Sequence, residues 1–217
     1  ASYHAGDDAT AQINMQGIET FDVDLVDDAV EMVFDMSLVT GLNLINLTDA
    51  SAEPVEFNEL APGVTIDVTS DLHTAATTVE VKPATVSGTE TQAFNITAVN
   101  TLDEIDLIVA DVETITIKTE SDNTVDLDLS GLSMTTAGEV MSLNFTGIYD
   151  VRLEALGADV TTLDASGMGV GGAVIQTGRT ATAVSTYTGS SGADTFIMRN
   201  SGDVLTGGSG SDTLDID

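Results

Sequence analysis

A turn signal recurs along this 217-residue chain at nearly even intervals, and that spacing limits the fold more than any other feature. A small polar residue or Pro, then Gly, then usually an apolar residue occurs at Gly17, Gly41, Gly63, Gly88, Gly131, Gly147, Gly167, Gly189 and Gly207. Asp111 splits the long gap after Gly88, and Asp tolerates turn conformations through its own side-chain hydrogen bonds. From Gly17 to Gly207 the ten positions make nine steps averaging about 21 residues, which is the size of a solenoid rung. Three of the sites share a longer pattern: GIETFDV (17–23), DVETITI (111–117) and GIYDVRL (147–153).

Between the turns the chain alternates. IETFDVDLV (18–26), VTIDVTS (64–70), TTVEVKP (77–83), AFNITAV (93–99), VETITIKTE (112–120) and TVDLDLS (124–130) repeat apolar residues at period 2 and are rich in β-branched side chains. Both traits mark strands. No stretch sustains a helical period; the best helix candidates are the short PVEFNELA (54–61) and TTAGEVMSL (135–143). The expectation is an all-β chain, a parallel β-solenoid or β-helix whose rungs stack because none can bury its apolar face alone. An antiparallel β-sandwich with glycine turns is the alternative, because the steps are uneven: Gly131 to Gly147 is short and Gly63 to Gly88 is long.

Charge narrows the partners. Five Lys+Arg face 36 Asp+Glu, a formal charge of −31. Nucleic-acid binding needs a cationic footprint, so the charge argues against that partner, and an anionic membrane surface would repel the chain. No apolar run is long enough for membrane insertion as a helix. Self-repulsion of this size strains a compact state, and a bound divalent cation relieves it. Cysteine is absent, which excludes disulfides and thiolate zinc sites. The start, ASYHAGDDATAQ, lacks the basic and apolar regions of a signal peptide and reads as the interior of a longer chain.

The C-terminal segment is sharper. GSSGADTFI (189–197) and GGSGSDTLD (207–215) both fit Gly-Gly/Ser-x-Gly-x-Asp-x-apolar-x, and their starts are two nonapeptide lengths apart. MRNSGDVLT (198–206) keeps the frame and loses the glycines. Asp194, Asp203 and Asp212 are thus nine apart, as are Phe196, Leu205 and Leu214. TATAVSTYT (180–188) puts Ser185 and Tyr187 at the same two positions, like a decayed repeat.

These units resemble the calcium-binding nonapeptide repeats of RTX proteins, over 189–215. The resemblance implies a short β-roll at 181–217 continuing a solenoid domain at 1–180. Gly189–Asp194 would stack on Gly207–Asp212. Asp194 and Asp212 would ligate one Ca²⁺, with backbone oxygens from Gly189, Ser191, Gly207, Gly208, Ser209 and Gly210 completing a hard-oxygen shell. Phe196 and Leu214 would point inward. Met198 and Arg199 replace glycines in the middle unit, which weakens the case for a site at Asp203.

Catalytic signals are weak. The glycines of GMGVGG (167–172) lack a βαβ context and a nearby cation. The two histidines, His4 and His73, are isolated, and no H-E-x-x-H or G-x-S-x-G occurs. Asp7-Asp8 and Asp27-Asp28 read as solvated loop charges, and the sequons at Asn46, Asn95 and Asn144 as chance matches in a Thr-rich chain. The resulting expectation is a non-enzymatic protein. The likeness to RTX surface-layer proteins implies type I secretion, an extracellular place on the bacterial cell surface, Ca²⁺-dependent folding and self-association into a layer or filament. Cell-surface polysaccharide is a candidate anchor. An RTX adhesin segment and the calcium-folding domain of a secreted enzyme are the alternatives.

Overall fold

The computed structural model describes residues 10–24, 31–48, 54–70, 77–84, 90–98, 104–120, 123–169, 174–176, 185–198 and 200–216. Nineteen strands follow one another: β1 (Thr10–Gln12), β2 (Thr20–Asp24), β3 (Met32–Asp35), β4 (Leu44–Thr48), β5 (Val55–Leu60), β6 (Thr65–Ser70), β7 (Thr77–Pro83), β8 (Thr91–Ala98), β9 (Glu104–Ala110) and β10 (Thr114–Thr119). The remainder are β11 (Val125–Ser133), β12 (Met141–Gly147), β13 (Val151–Leu156), β14 (Val160–Met168), β15 (Val174–Gln176), β16 (Thr186–Thr188), β17 (Thr195–Met198), β18 (Val204–Thr206) and β19 (Thr213–Ile216).

Odd-numbered strands form one sheet and even-numbered strands the other, each strand pairing with the next of its own parity. The pairing is parallel from β1·β3 to β17·β19 and from β2·β4 to β16·β18. The chain therefore crosses from sheet to sheet at every turn, and one rung is an odd strand, a corner, an even strand and a second corner. This is the parallel β-solenoid; the sandwich alternative fails because its strands would run antiparallel. Both sheets pass from the 1–180 segment into 181–217 without a break, through Thr162↔Thr186 and Ile175↔Thr195.

Period 2 explains the core. Along β9 the residues alternate between half-buried and buried, with Ile105, Leu107 and Val109 fully inside. β10 does the same with Ile115 and Ile117, and inward residues from both sheets join in one apolar cluster. Each such side chain contributes about 1.5–3 kcal/mol relative to exposure. Aromatic rings continue the stack at one end: Phe34 packs edge-on to Phe21 and face-on to Phe57, at centroid distances of 5.7 and 5.5 Å.

Each of the six sequence-read strands holds a strand within its described residues. Neither helix candidate is a helix: 55–60 is β5, and 135–143 is a corner leading into β12. Residues Val55, Phe57 and Leu60 mimic a helical stripe because Glu59 takes φ +56° and makes a bulge that returns Leu60 to the core.

The glycine series is two columns rather than one. Gly17, Gly41, Gly63 and Asp111 occupy the corner before even strands, at φ between +57° and +85°, and Gly138, outside the series, takes the same place before β12 at φ +93°. Asp111, at +57°, stands where the left-handed turn otherwise takes glycine. From Gly147 onward the series moves to the corner at or after the end of even strands, reaching Gly189 and Gly207. Gly131 lies inside β11 instead, and Gly88 falls outside the described residues. GIETFDV and DVETITI lead into even strands, whereas GIYDVRL leads into the odd strand β13. True rung lengths come from the register. Gln12 and its partner Asp35 in β3 are separated by 23 residues. Thr78 and its partner Asp106 in β9 are separated by 28. In the last rungs, where β17 pairs with β19, the separation tightens to 18, as between Asp194 and Asp212.

Candidate metal centre

In the C-terminal rungs each nonapeptide becomes a turn and a short strand. The 189–194 turn lies directly on the 207–212 turn. Gly189 N donates to Thr206 O at 2.7 Å, Ser209 N to Ser190 O at 3.2 Å and Thr213 N to Asp194 O at 2.8 Å. The approach is close enough to demand glycine. A Cβ on Gly208 would lie 2.0 Å from Ser190 O, and one on Gly210 1.9 Å from Gly192 O.

Asp194 is completely buried. Its Oδ1 accepts from Val174 N at 2.7 Å, its Oδ2 from Ser190 N at 2.8 Å, and the Ser190 hydroxyl lies 3.1 Å from both oxygens. Asp212, which is exposed, accepts from Asp194 N through Oδ1 at 3.2 Å. The structure thus brings Asp194 and Asp212 into one seam, together with Gly189, Gly207, Gly208, Ser209 and Gly210. Ser191 sits at its exposed edge, its hydroxyl 3.2 Å from Gly169 O.

Asp203 is elsewhere, at the opposite corner. Its Oδ1 accepts from Ser185 N at 2.9 Å and its Oδ2 from Asn200 N at 3.1 Å. Ser185, in the decayed repeat, is the equivalent residue one rung earlier. The three aspartates therefore share a habit: one carboxylate oxygen takes a backbone N–H from the preceding rung. Inward apolar positions follow the frame as well. Tyr187 and Phe196 are buried and stack at 5.8 Å across the core, while Leu214, in register with Phe196, remains 48% exposed on the last described rung.

The donors of the Asp194–Asp212 seam are all oxygens, a set that suits Ca²⁺ rather than a softer metal. Each Asp194 oxygen already accepts hydrogen bonds, so an ion there would have to share or displace the Ser190 hydroxyl.

Denser carboxylate groups lie on the outward face of the odd sheet. Glu31, Glu56 and Glu80 have ligand atoms within 4.8 Å of one another, and so do Glu104, Asp106 and Asp128. Lys82 Nζ pairs with two members of the first group, 2.7 Å from Glu56 and 3.0 Å from Glu80, and Glu56 chiefly holds the ammonium pKa above its ordinary value. In the second group burial, then the charges of neighbouring acids, pushes the carboxyls of Glu104 and Asp106 up. Asp126, beside them, is also pushed up by burial although Arg152 pairs with it. Sequence reasoning missed both groups. Their only trace is an acid at alternate positions of successive odd-numbered strands. It becomes visible once Glu56↔Glu80 and Asp106↔Asp128 are known to be in register.

The even sheet handles acids differently. Asp22, Asn46, Asp67 and Asn95 stack in one row, and the Asn46 and Asn95 amides donate to Asp22 and Asp67. Two of the three sequons are thereby accounted for as a structural ladder. Asp7-Asp8 and Asp27-Asp28 lie outside the described residues, as does Gly172. Among the described residues no helix is long and apolar enough to cross a membrane. No protein-family model, curated protein or solved structure matches the chain.

Proposed function

We propose that this chain is a non-enzymatic structural protein of the bacterial cell surface, a parallel β-solenoid whose C-terminal rungs bind Ca²⁺ and which self-associates into a layer or filament. One observation carries the reading. Two glycine turns stack one rung apart, with Asp194 and Asp212 in the same seam. That is the arrangement which the resemblance to RTX nonapeptides implies.

The mechanism is linkage. At low Ca²⁺ the net charge of −31 opposes compaction. An ion that binds only the folded turns adds roughly 2.7 kcal/mol per site at a hundredfold excess over Kd. The chain would then cross the envelope unfolded through type I secretion and order outside, where Ca²⁺ is plentiful. The adhesin and enzyme-domain alternatives share this step and differ in whether the folded chain polymerises.

A second reading is favoured by the hydrogen bonds of Asp194. Its carboxylate can serve as a metal-free staple that satisfies Val174 N and Ser190 N. Circular dichroism with and without EDTA, together with Ca²⁺ titration of wild type and the Asp194→Ala, Asp212→Ala double variant, separates the two. The calcium reading expects EDTA to lower Tm and the double variant to lose a bound ion. An EDTA-insensitive wild type, destabilised only by the substitutions, leaves the staple reading standing. Sedimentation in millimolar Ca²⁺ tests assembly, and a chain that stays monomeric at high concentration removes that part.

A further inference from the structure

A cavity of about 220 Å³ opens at the corner before β4, where two stacked corners differ in length. The connection from β3 to β4 takes residues 36–43, and the one from β5 to β6 only 61–64. Their ends are tied together: Met36 N donates to Asn58 O and Thr65 N to Asn43 O, both at 2.9 Å. The middle of the longer corner leans the other way, with Thr40 N bonded to Met15 O and Gly17 N to Thr40 O, both at 3.0 Å. A long corner above a short one, pinned at both ends and drawn aside in the middle, leaves space between them.

The walls are apolar. Met36, Leu42, Leu60 and Val64 form the floor and are each at most 9% exposed, while Val39 and Ala61 stand at the rim. Among the described residues the one polar side chain at the cavity is that of Thr40, and no Lys, Arg, Asp or Glu lines it. Apolar cavities of about 150 Å³ stay dry and take benzene or xenon. This one is larger. Water would find almost no partners inside it, and dense packing is the rule for protein interiors. A carboxylate-headed ligand would find no described cation at the mouth, on a chain carrying −31.

We infer that this corner cavity is a binding site for a neutral, compact apolar group: a monocyclic aromatic or a short alkyl chain. The site is independent of the C-terminal turns, so it stands or falls apart from the calcium reading.

Benzene is the probe, with octanoate as the charged comparison. Thermal unfolding is followed by circular dichroism on the full chain, in wild type and in Ala61→Leu, which fills the rim. Benzene is expected to raise the wild-type Tm by a few degrees and that of Ala61→Leu by much less. Octanoate is expected to do less than benzene. Methyl resonances of Met36 and Val64 should shift with benzene, which locates the site even if Ala61→Leu folds poorly. No benzene effect on wild-type Tm overturns the inference, as do unmoved Met36 and Val64 resonances. An octanoate effect equal to that of benzene overturns the requirement for a neutral ligand.

Discussion

The rungs at 10–169 and those at 185–216 stack by different means. In the first region strands such as β9, β11 and β14 bury several large apolar side chains each, and the corners vary freely, so a rung can be as long as the one from Thr78 to Asp106. In the second region the strands are short, the rung shrinks to the step from Asp194 to Asp212, and the turns themselves touch through backbone and carboxylate. Strand cores hold the first region and turn chemistry holds the second. The acids are shared out less sharply. The body carries carboxylate groups on the outward face of the odd sheet, where they repel or pair, but in both regions corner acids accept backbone N–H groups, Asp111 from Thr135 and Asp159 from Met134 as Asp194 does from Val174.

Removing a core ring should give the largest effect. Phe57→Ala, at a fully buried position stacked on Phe34, is expected to cost about 3–5 kcal/mol in urea unfolding. The equivalent truncation Leu214→Ala, at a half-exposed position, should cost about 1 kcal/mol or less. Comparable losses would erase the distinction. Next comes the staple. Asp194→Ala strands the N–H groups of Val174 and Ser190 and should cost about 3 kcal/mol. Hydrogen exchange should show the loss concentrated in 185–216; an even loss along the chain would mean that the two regions unfold as one.

Two smaller changes probe the body alone. The Thr77 hydroxyl is buried without a hydrogen-bond partner among the described residues, so Thr77→Val should stabilise by about 1 kcal/mol. Glu104, Asp106 and Asp126 have folded pKa values above their ordinary ones. Their protonation favours the fold: the contribution is complete below the ordinary values of 3.8 and 4.5 and is lost as pH rises through the raised values. Acidifying from neutrality toward the ordinary carboxylate range should therefore stabilise the body. Asp35, held below its ordinary value chiefly by Ser37, acts in the opposite sense only at lower pH. Asp106→Asn should stabilise at neutral pH by roughly a few tenths of a kcal/mol after screening and flatten the pH response. A chain in which Asp106→Asn leaves the pH response of stability unchanged contradicts this.

Much of the fold was legible because burial on one face writes itself as period 2. Ile115 and Ile117, inside VETITIKTE, needed no structure to be placed, whereas the strand that carries Ile105, Leu107 and Val109 was not read. The bulge at Glu59 was not legible, since positive φ at a non-glycine residue leaves no mark and turns a strand into an apparent helical stripe. The move of the glycines from one corner to the other was hidden for a related reason: spacing along the chain does not say which of two corners a turn occupies. In the candidate site, the pairing of turns 189–194 and 207–212 was what the resemblance to RTX nonapeptides implied. The saturation of Asp194 by N–H donors was not, because Val174 lies in the preceding rung and outside any repeat. The carboxylate groups on the odd sheet depend wholly on register.

In both ladders each strand pairs with the strand two before it and the strand two after it. No pairing waits for a distant part of the chain, so every completed rung is a finished template for the next. Folding can then advance like a zip at a cost in loop closure that stays constant however long the chain grows. The same rule runs in reverse, because a break in the middle leaves two templates rather than one unfolded chain. Damage in such a molecule stays where it happens.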